Sequence, residues 1–202
     1  MSVINIQFTP LELRIVKYLF KHYNEKYNAR QLARALDVNH AHVNILCGQL
    51  VTKKLLKKED LGNSIYFTFN YEERLAVSFM DYILSLELQE FPEWLTVVVH
   101  SLKKFEKYVT FGVVFGSSIN NNQFNDIDVL LVYDKRVSKD IKKIKEEIRR
   151  ARLVEKPIRY VDVMEKDVPK NKDDTIFYSL LANNLIFTGA EKYVGVIRIC
   201  HK

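Results

Sequence analysis

The sequence predicts an α+β fold in two domains, residues 1–70 and 92–202, joined by a linker helix over residues 71–91. Three observations carry that prediction. Three short stretches with capping residues and helical spacing come first, and an alternating run, Ile65, Phe67, Phe69, follows a turn at Gly62-Asn63. Later, two apolar runs, Phe111–Phe115 and Val129–Val132, bracket a polar segment, and a third, Ile158–Met164, follows a charged helical stretch. Finally, 202 residues with 48% apolar composition leave room for one large or two small cores.

The elements follow in order. Thr9-Pro10 is a helix start, and Leu11, Ile15, Leu19 and Phe20 keep helical spacing after it. Asn28 caps a second helix, Ala29 to Leu36, with Leu32 and Leu36 on its apolar side. Asn39 caps a third, which turns Val43, Cys47 and Leu50 inward, and Cys47 is expected to pack as a small core residue. Lys57 to Asn70 reads as two short strands around Leu61-Gly62-Asn63. Glu72 to Glu90 has one helical stripe, Leu75, Phe79, Ile83 (or Tyr82) and Leu86, and Glu93 to Tyr108 another, Leu95, Val98, Leu102 and Phe105. Ser138 to Leu153 is a charged helix that lays Ile141, Ile144, Ile148 and the stem of Arg152 on a sheet. Asp173-Asp174 caps a helix running to Asn183 or Asn184, a short strand Leu185 to Phe187 follows, and the tail adds an edge strand or packs on the sheet.

The chemistry concentrates between Val113 and Asp134. Gly116-Ser117-Ser118 breaks a buried strand and opens a polar turn, where glycine lets backbone approach a ligand. Exposed N–H groups at such a turn favour phosphate, and a neighbouring hydroxyl adds a hydrogen bond. Asp126 and Asp128 stand two apart at the mouth of the next strand, so they point the same way while Ile127 points to the other face. Two adjacent carboxylates repel one another and lose solvation, and a divalent cation with oxygen ligands relieves both penalties.

The spacing of Gly116, Ser117, Asp126 and Asp128 in an apolar frame resembles the nucleotidyltransferase superfamily that includes polymerase β. The resemblance implies a small mixed-sheet domain with flanking helices and two ions, Mg²⁺ or Mn²⁺, held by Asp126 and Asp128. It also implies that Gly116, Ser117 and Ser118 bind the phosphates of a nucleoside triphosphate. Asp162, flanked by Val161 and Val163, matches the family's third carboxylate, which holds the catalytic ion and helps deprotonate the incoming hydroxyl. The implied reaction is metal-assisted transfer of a nucleoside monophosphate, AMP from ATP, to a protein or nucleic-acid hydroxyl. One departure is that the gap from Ser118 to Asn125 carries no arginine to help hold phosphate.

Residues 8 to 70 resemble a winged helix-turn-helix. In such domains the third helix enters the major groove of DNA and the hairpin touches the backbone. The positions that would face DNA are His40, His42, Asn44, Ile45 and Gly48, with Lys57 and Lys58 on the hairpin. That face carries little positive charge, Ile45 sits in its middle, and Glu59 and Asp60 follow the two lysines, so weak DNA binding or protein contact are both open.

Composition narrows the classes. No apolar run approaches the ~18 residues of a membrane span, and the start, MSVINIQFTP, lacks the basic and apolar pattern of a secretory signal. Cys47 and Cys200 alone fit a reduced, cytoplasmic protein. A net charge of +6 permits nucleic-acid contact without requiring it. The expected partners are a nucleoside triphosphate, DNA or an acceptor protein, and a second copy of the chain paired through the linker helix. Two other readings stand beside the transferase: a DNA-binding regulator whose transferase-like domain senses nucleotide or is inactive, and an antitoxin-like partner protein.

Overall fold

The computed structural model describes residues 7–119, 123–151 and 153–201. It is a mixed α+β chain with two small sheets, and it divides into two compact units between Ile83 and Leu84. Among the described residues no helix is long and apolar enough to cross a membrane.

The first unit begins with helix α1, Pro10–Lys21. Thr9 and Glu12 form a reciprocal capping box, the Thr9 N–H donating to Glu12 at 2.8 Å and the Glu12 N–H to Thr9 at 3.2 Å. Glu12 is buried, and Lys53 Nζ lies 2.6 Å from its carboxylate. Burial alone would push the Glu12 carboxyl up, but the hydrogen bonds from Lys53 and Thr9 outweigh it and hold the group below its ordinary value. Helix α2, Ala29–Leu36, starts with a second capping box between Asn28 and Gln31. It ends at Asp37, whose left-handed φ of 52° turns the chain toward α3, His40–Thr52. Asn39 caps α3 by accepting the Ala41 N–H at 2.9 Å.

Strand β1, Tyr27–Asn28, pairs with β3, Ser64–Phe69, which also pairs antiparallel with β2, Leu56–Leu61, in the order β1-β3-β2. The alternation of Ile65, Phe67 and Phe69 faces them one way, and the last two are buried. Phe69 meets Phe20 edge-on at 5.0 Å, and the Tyr71 hydroxyl donates to the Phe20 carbonyl at 2.6 Å. Cys47 lies fully buried, and burial pushes its thiol up to about 12, so it is inert packing as expected.

The stretch expected as a linker helix is shorter than its pattern. Helix α4 spans Arg74–Ser85 and is followed by a 3₁₀ turn at Glu87–Glu90. The inward stripe is Ala76, Val77 and Met80, while Leu75 and Tyr82 are exposed. Just beyond the helix, the fully buried Glu87 carboxylate accepts the Ile186 N–H at 2.8 Å. Glu93 to Tyr108 is likewise not one helix. Only α5, Thr96–Leu102, is α-helical, between 3₁₀ turns at Glu93–Leu95 and Lys103–Phe105. The β-branched run from Thr96 to Val99 is a weak helix former, yet Leu95, Val98, Leu102 and Phe105 are all buried as their spacing predicts.

The second unit is built on a four-stranded sheet. Its strands are β4, Phe111–Phe115, β5, Ile127–Tyr133, β6, Ile158–Met164, and β7, Asn184–Thr188, in the order β6-β5-β4-β7. Strands β5 and β6 are parallel and the other pairs antiparallel. Helix α6, Ser138–Ala151, crosses between β5 and β6 and lays Ile141, Ile144 and Ile148 in one core with Ile127, Val129, Leu131 and α5. Arg152, expected on the same stripe, lies outside the described residues. Helix α7, Thr175–Ala182, is capped by Asp174. The tail, expected as an edge strand or cover for the sheet, is a helix, α8, Ala190–His201. Tyr193, Val196, Ile197 and Cys200 recur at helical spacing and are buried, and Tyr193 meets Phe111 edge-on at 5.3 Å on the face opposite α6.

Candidate functional site

The end of β4 and the start of β5 meet as antiparallel neighbours. Phe115 pairs with Asp128, so Gly116, the next residue, reaches the acidic strand across the sheet. Its φ is +78°, a region that suits glycine. A Cβ at this position would lie 2.6 Å from Asp128 Oδ2, so the absence of a side chain is what lets the turn sit against the carboxylate. Residues Gly116–Ile119 then form a 3₁₀ turn.

The two serines of that turn part ways. Ser117 is exposed beside Gly116. Ser118, expected to bind nucleotide, is fully buried and its hydroxyl donates to the Phe115 carbonyl at 3.3 Å. Its hydroxyl is therefore used within the turn. Its carbonyl accepts the Trp94 indole N–H at 3.1 Å. Trp94 thus clamps the turn from the segment before α5, a role that sequence reasoning missed. Its one signal was being the only tryptophan in the chain.

Asp126, in the bend before β5, and Asp128 both lie beside Arg159, while Ile127 and Val129 are buried on the other face with α6. Burial first, and then the neighbouring Asp126, push the Asp128 carboxyl above its ordinary value, with Arg159 pulling the other way. The described residues hold no group of three or more His, Cys, Asp or Glu arranged for a metal.

Asp162 does not join the pair, which corrects the expectation of a third carboxylate in the site. In the parallel β5–β6 register Asp128 lies beside Arg159, whereas Asp162 lies beside Leu131. Three residues along a strand is about 10 Å, and odd spacing turns the side chain to the opposite face. There Lys145 of α6 takes both carboxylate oxygens at 2.7 and 2.6 Å. The group that β6 brings to the acidic pair is instead Arg159, whose Nε lies 2.8 Å from Asp126 Oδ2. Arg159 and the half-exposed Val161 continue this face beyond Asp128 as an open floor.

In the first unit, His40, His42 and Asn44 are exposed along α3, with Ile45 among them. Lys57 and Lys58 are exposed on β2, and Lys57 is paired with Glu72 at 2.7 Å. No protein-family model, curated protein or solved structure matches the chain.

Replacing Gly116 with alanine tests the contact that assembles the site. The new Cβ must displace the Asp128 carboxylate, and left-handed backbone costs a non-glycine residue about 1–2 kcal/mol. A folded protein with a slightly lower melting temperature is expected. A melting curve beside wild type reads it, and an unchanged melting temperature would mean that the turn does not depend on this close approach.

Proposed function

We propose that the chain binds a nucleoside triphosphate with Mg²⁺ or Mn²⁺ at Gly116, Ser117, Asp126 and Asp128, and transfers its nucleoside monophosphate, AMP from ATP, to a protein or nucleic-acid hydroxyl. One observation carries the reading: strand pairing places the Gly116 turn against the Asp128 carboxylate, although the two are separated in sequence. A phosphate cradle and an acidic pair are useful together only when they touch.

The donor set fits a hard divalent cation. Two carboxylates whose charged forms oppose each other gain from a cation between them. Mg²⁺ is commonly held by one or two carboxylates, the other positions going to phosphate oxygens and water. When bound, the ion supplies positive charge to the triphosphate and the departing pyrophosphate. Asp126 and Asp128 would hold it, the lack of a side chain at Gly116 would let a phosphate approach closely, and the exposed Ser117 hydroxyl can donate to a phosphate oxygen. The acceptor oxygen bonds to the α-phosphorus, the bond from that phosphorus to the bridging oxygen breaks, and the acceptor proton passes to solvent. Catalysis of this kind rests on positioning and charge neutralisation.

A second reading, a nucleotide-responsive regulator, is favoured by the pairing of Asp162 with Lys145, which leaves the site without a third carboxylate to take the acceptor proton. Its DNA-binding part would be the first unit, whose three helices and hairpin resemble a winged helix-turn-helix. The experiment is thermal shift with each of the four ribonucleoside triphosphates, with and without Mg²⁺ or Mn²⁺, followed by an assay for pyrophosphate release and labelled-AMP transfer. A metal-dependent shift with transfer supports the enzyme. A shift without pyrophosphate release, together with nucleotide-sensitive DNA binding, supports the regulator. No shift at millimolar nucleotide overturns both.

A further inference from the structure

We propose that Arg159 is a displaceable counter-ion of the acidic pair, which leaves Asp126 for the phosphates of an arriving nucleotide, so that metal enters with the triphosphate rather than ahead of it. The inference rests on the nucleotide-binding reading above.

Placement is the first support. The β5–β6 register puts Arg159 directly beside Asp128, and parity puts its side chain on the acidic face of the sheet. Its Nε then reaches Asp126 Oδ2 at 2.8 Å. The second support is the asymmetry of this bond: the Arg159 side chain is 72% exposed and the Asp126 side chain 17%. The carboxylate is anchored in the fold while its cation lies in solvent on a long flexible stem. An ion pair with one exposed partner contributes little to stability and exchanges readily. Arg159 can therefore move without disturbing the sheet.

Chemistry supplies the third. The segment from Ser118 to Asn125, which runs between the Gly-Ser turn and the acidic pair, contains neither arginine nor lysine. A triphosphate brought to Gly116 would meet two carboxylates and no local cation on that segment. Arg159 is the cation bonded to the pair among the described residues, and a planar guanidinium matches phosphate oxygens two at a time. One residue thus balances two states. Without nucleotide it neutralises the carboxylates and competes with a metal ion for Asp126. With nucleotide it follows the phosphates and leaves the carboxylates to the metal.

The two roles predict opposite effects of one substitution. In the full chain, Mn²⁺ binding without nucleotide is measured by electron paramagnetic resonance, and ATP binding with Mg²⁺ by calorimetry. Arg159→Ala is expected to tighten Mn²⁺ alone by about threefold, because a competitor is gone. The same change is expected to weaken ATP with Mg²⁺ by about tenfold, because a charged phosphate contact is lost. Arg159→Lys should restore part of the ATP affinity. A merely structural arginine would move both measurements in the same direction, and that result, or no change in either, overturns the inference while leaving nucleotide binding in place. A wild-type chain that binds no magnesium nucleotide at all overturns the nucleotide reading and this inference with it.

Discussion

Replacing Asp128 with asparagine is expected to weaken metal-dependent nucleotide binding by about a hundredfold while slightly raising the melting temperature. The two effects have one cause. Asp128 is pushed above its ordinary value by burial and by Asp126, only partly offset by Arg159. The native state therefore binds this proton more readily than the unfolded chain does. Ionised Asp128 costs stability at neutral pH, and the cost falls away as pH drops through the raised native value, vanishing below the ordinary carboxylate range. Asparagine keeps the shape and removes the charge. Its gain in melting temperature should thus be full near neutral pH and close toward zero in acid. A structural carboxylate would behave the other way, losing stability when neutralised. Melting curves across pH, beside titrations with magnesium nucleotide, separate the cases. A less stable Asp128→Asn protein that still binds nucleotide would remove the acidic pair from the site.

The largest stability effect is expected at Gly189, between β7 and α8. Its φ is +77°, and a Cβ there would lie 2.3 Å from the Thr110 carbonyl oxygen and 2.7 Å from Phe111 Cα. Both obstacles are backbone at the entrance to β4, so nothing can rotate out of the way. Left-handed strain and the collision together should cost about 3 kcal/mol or more. The position matters because α8 begins at once: Tyr193 donates its N–H to the Gly189 carbonyl at 2.9 Å and covers Phe111. Gly195, inside α8, is the control. A Cβ there meets nothing within 4 Å, so Gly195→Ala should stabilise by about 0.5–1 kcal/mol through helix propensity. Denaturant midpoints of the two variants should move in opposite directions. A Gly189→Ala chain as stable as wild type would show that the β7–α8 turn is not built on this close approach.

Local signals were legible throughout the sequence. Thr9, Asn28, Asn39 and Asp174 cap the helices that their side chains announce. The Gly62-Asn63 turn and the alternation after it make a hairpin. Alternation along β5 turns Asp128 away from the buried Ile127 and Val129, because side-chain direction within a strand depends only on neighbours along the chain. The helical spacing of Tyr193, Val196, Ile197 and Cys200 was also present, and only competition with a strand reading hid it.

Register between strands is a different kind of quantity. It is settled by the packing of α6 across β5 and β6 and by the match of Ile127 with Ile158, contacts between residues far apart in sequence. A displacement of one residue turns every side chain to the other face. An apolar-Asp-apolar triplet therefore says that Asp162 lies on a strand but not which way it points. The sequence by itself determined the capped helices, the hairpin and the strands of the second sheet, together with the acidic pair and the glycine that precedes it. Only the tertiary structure decided that Asp162 belongs to Lys145, that Ser118 faces inward under Trp94, and that Arg159 stands beside the acidic pair, because pairing between strands is set by the whole core and not by any segment of it.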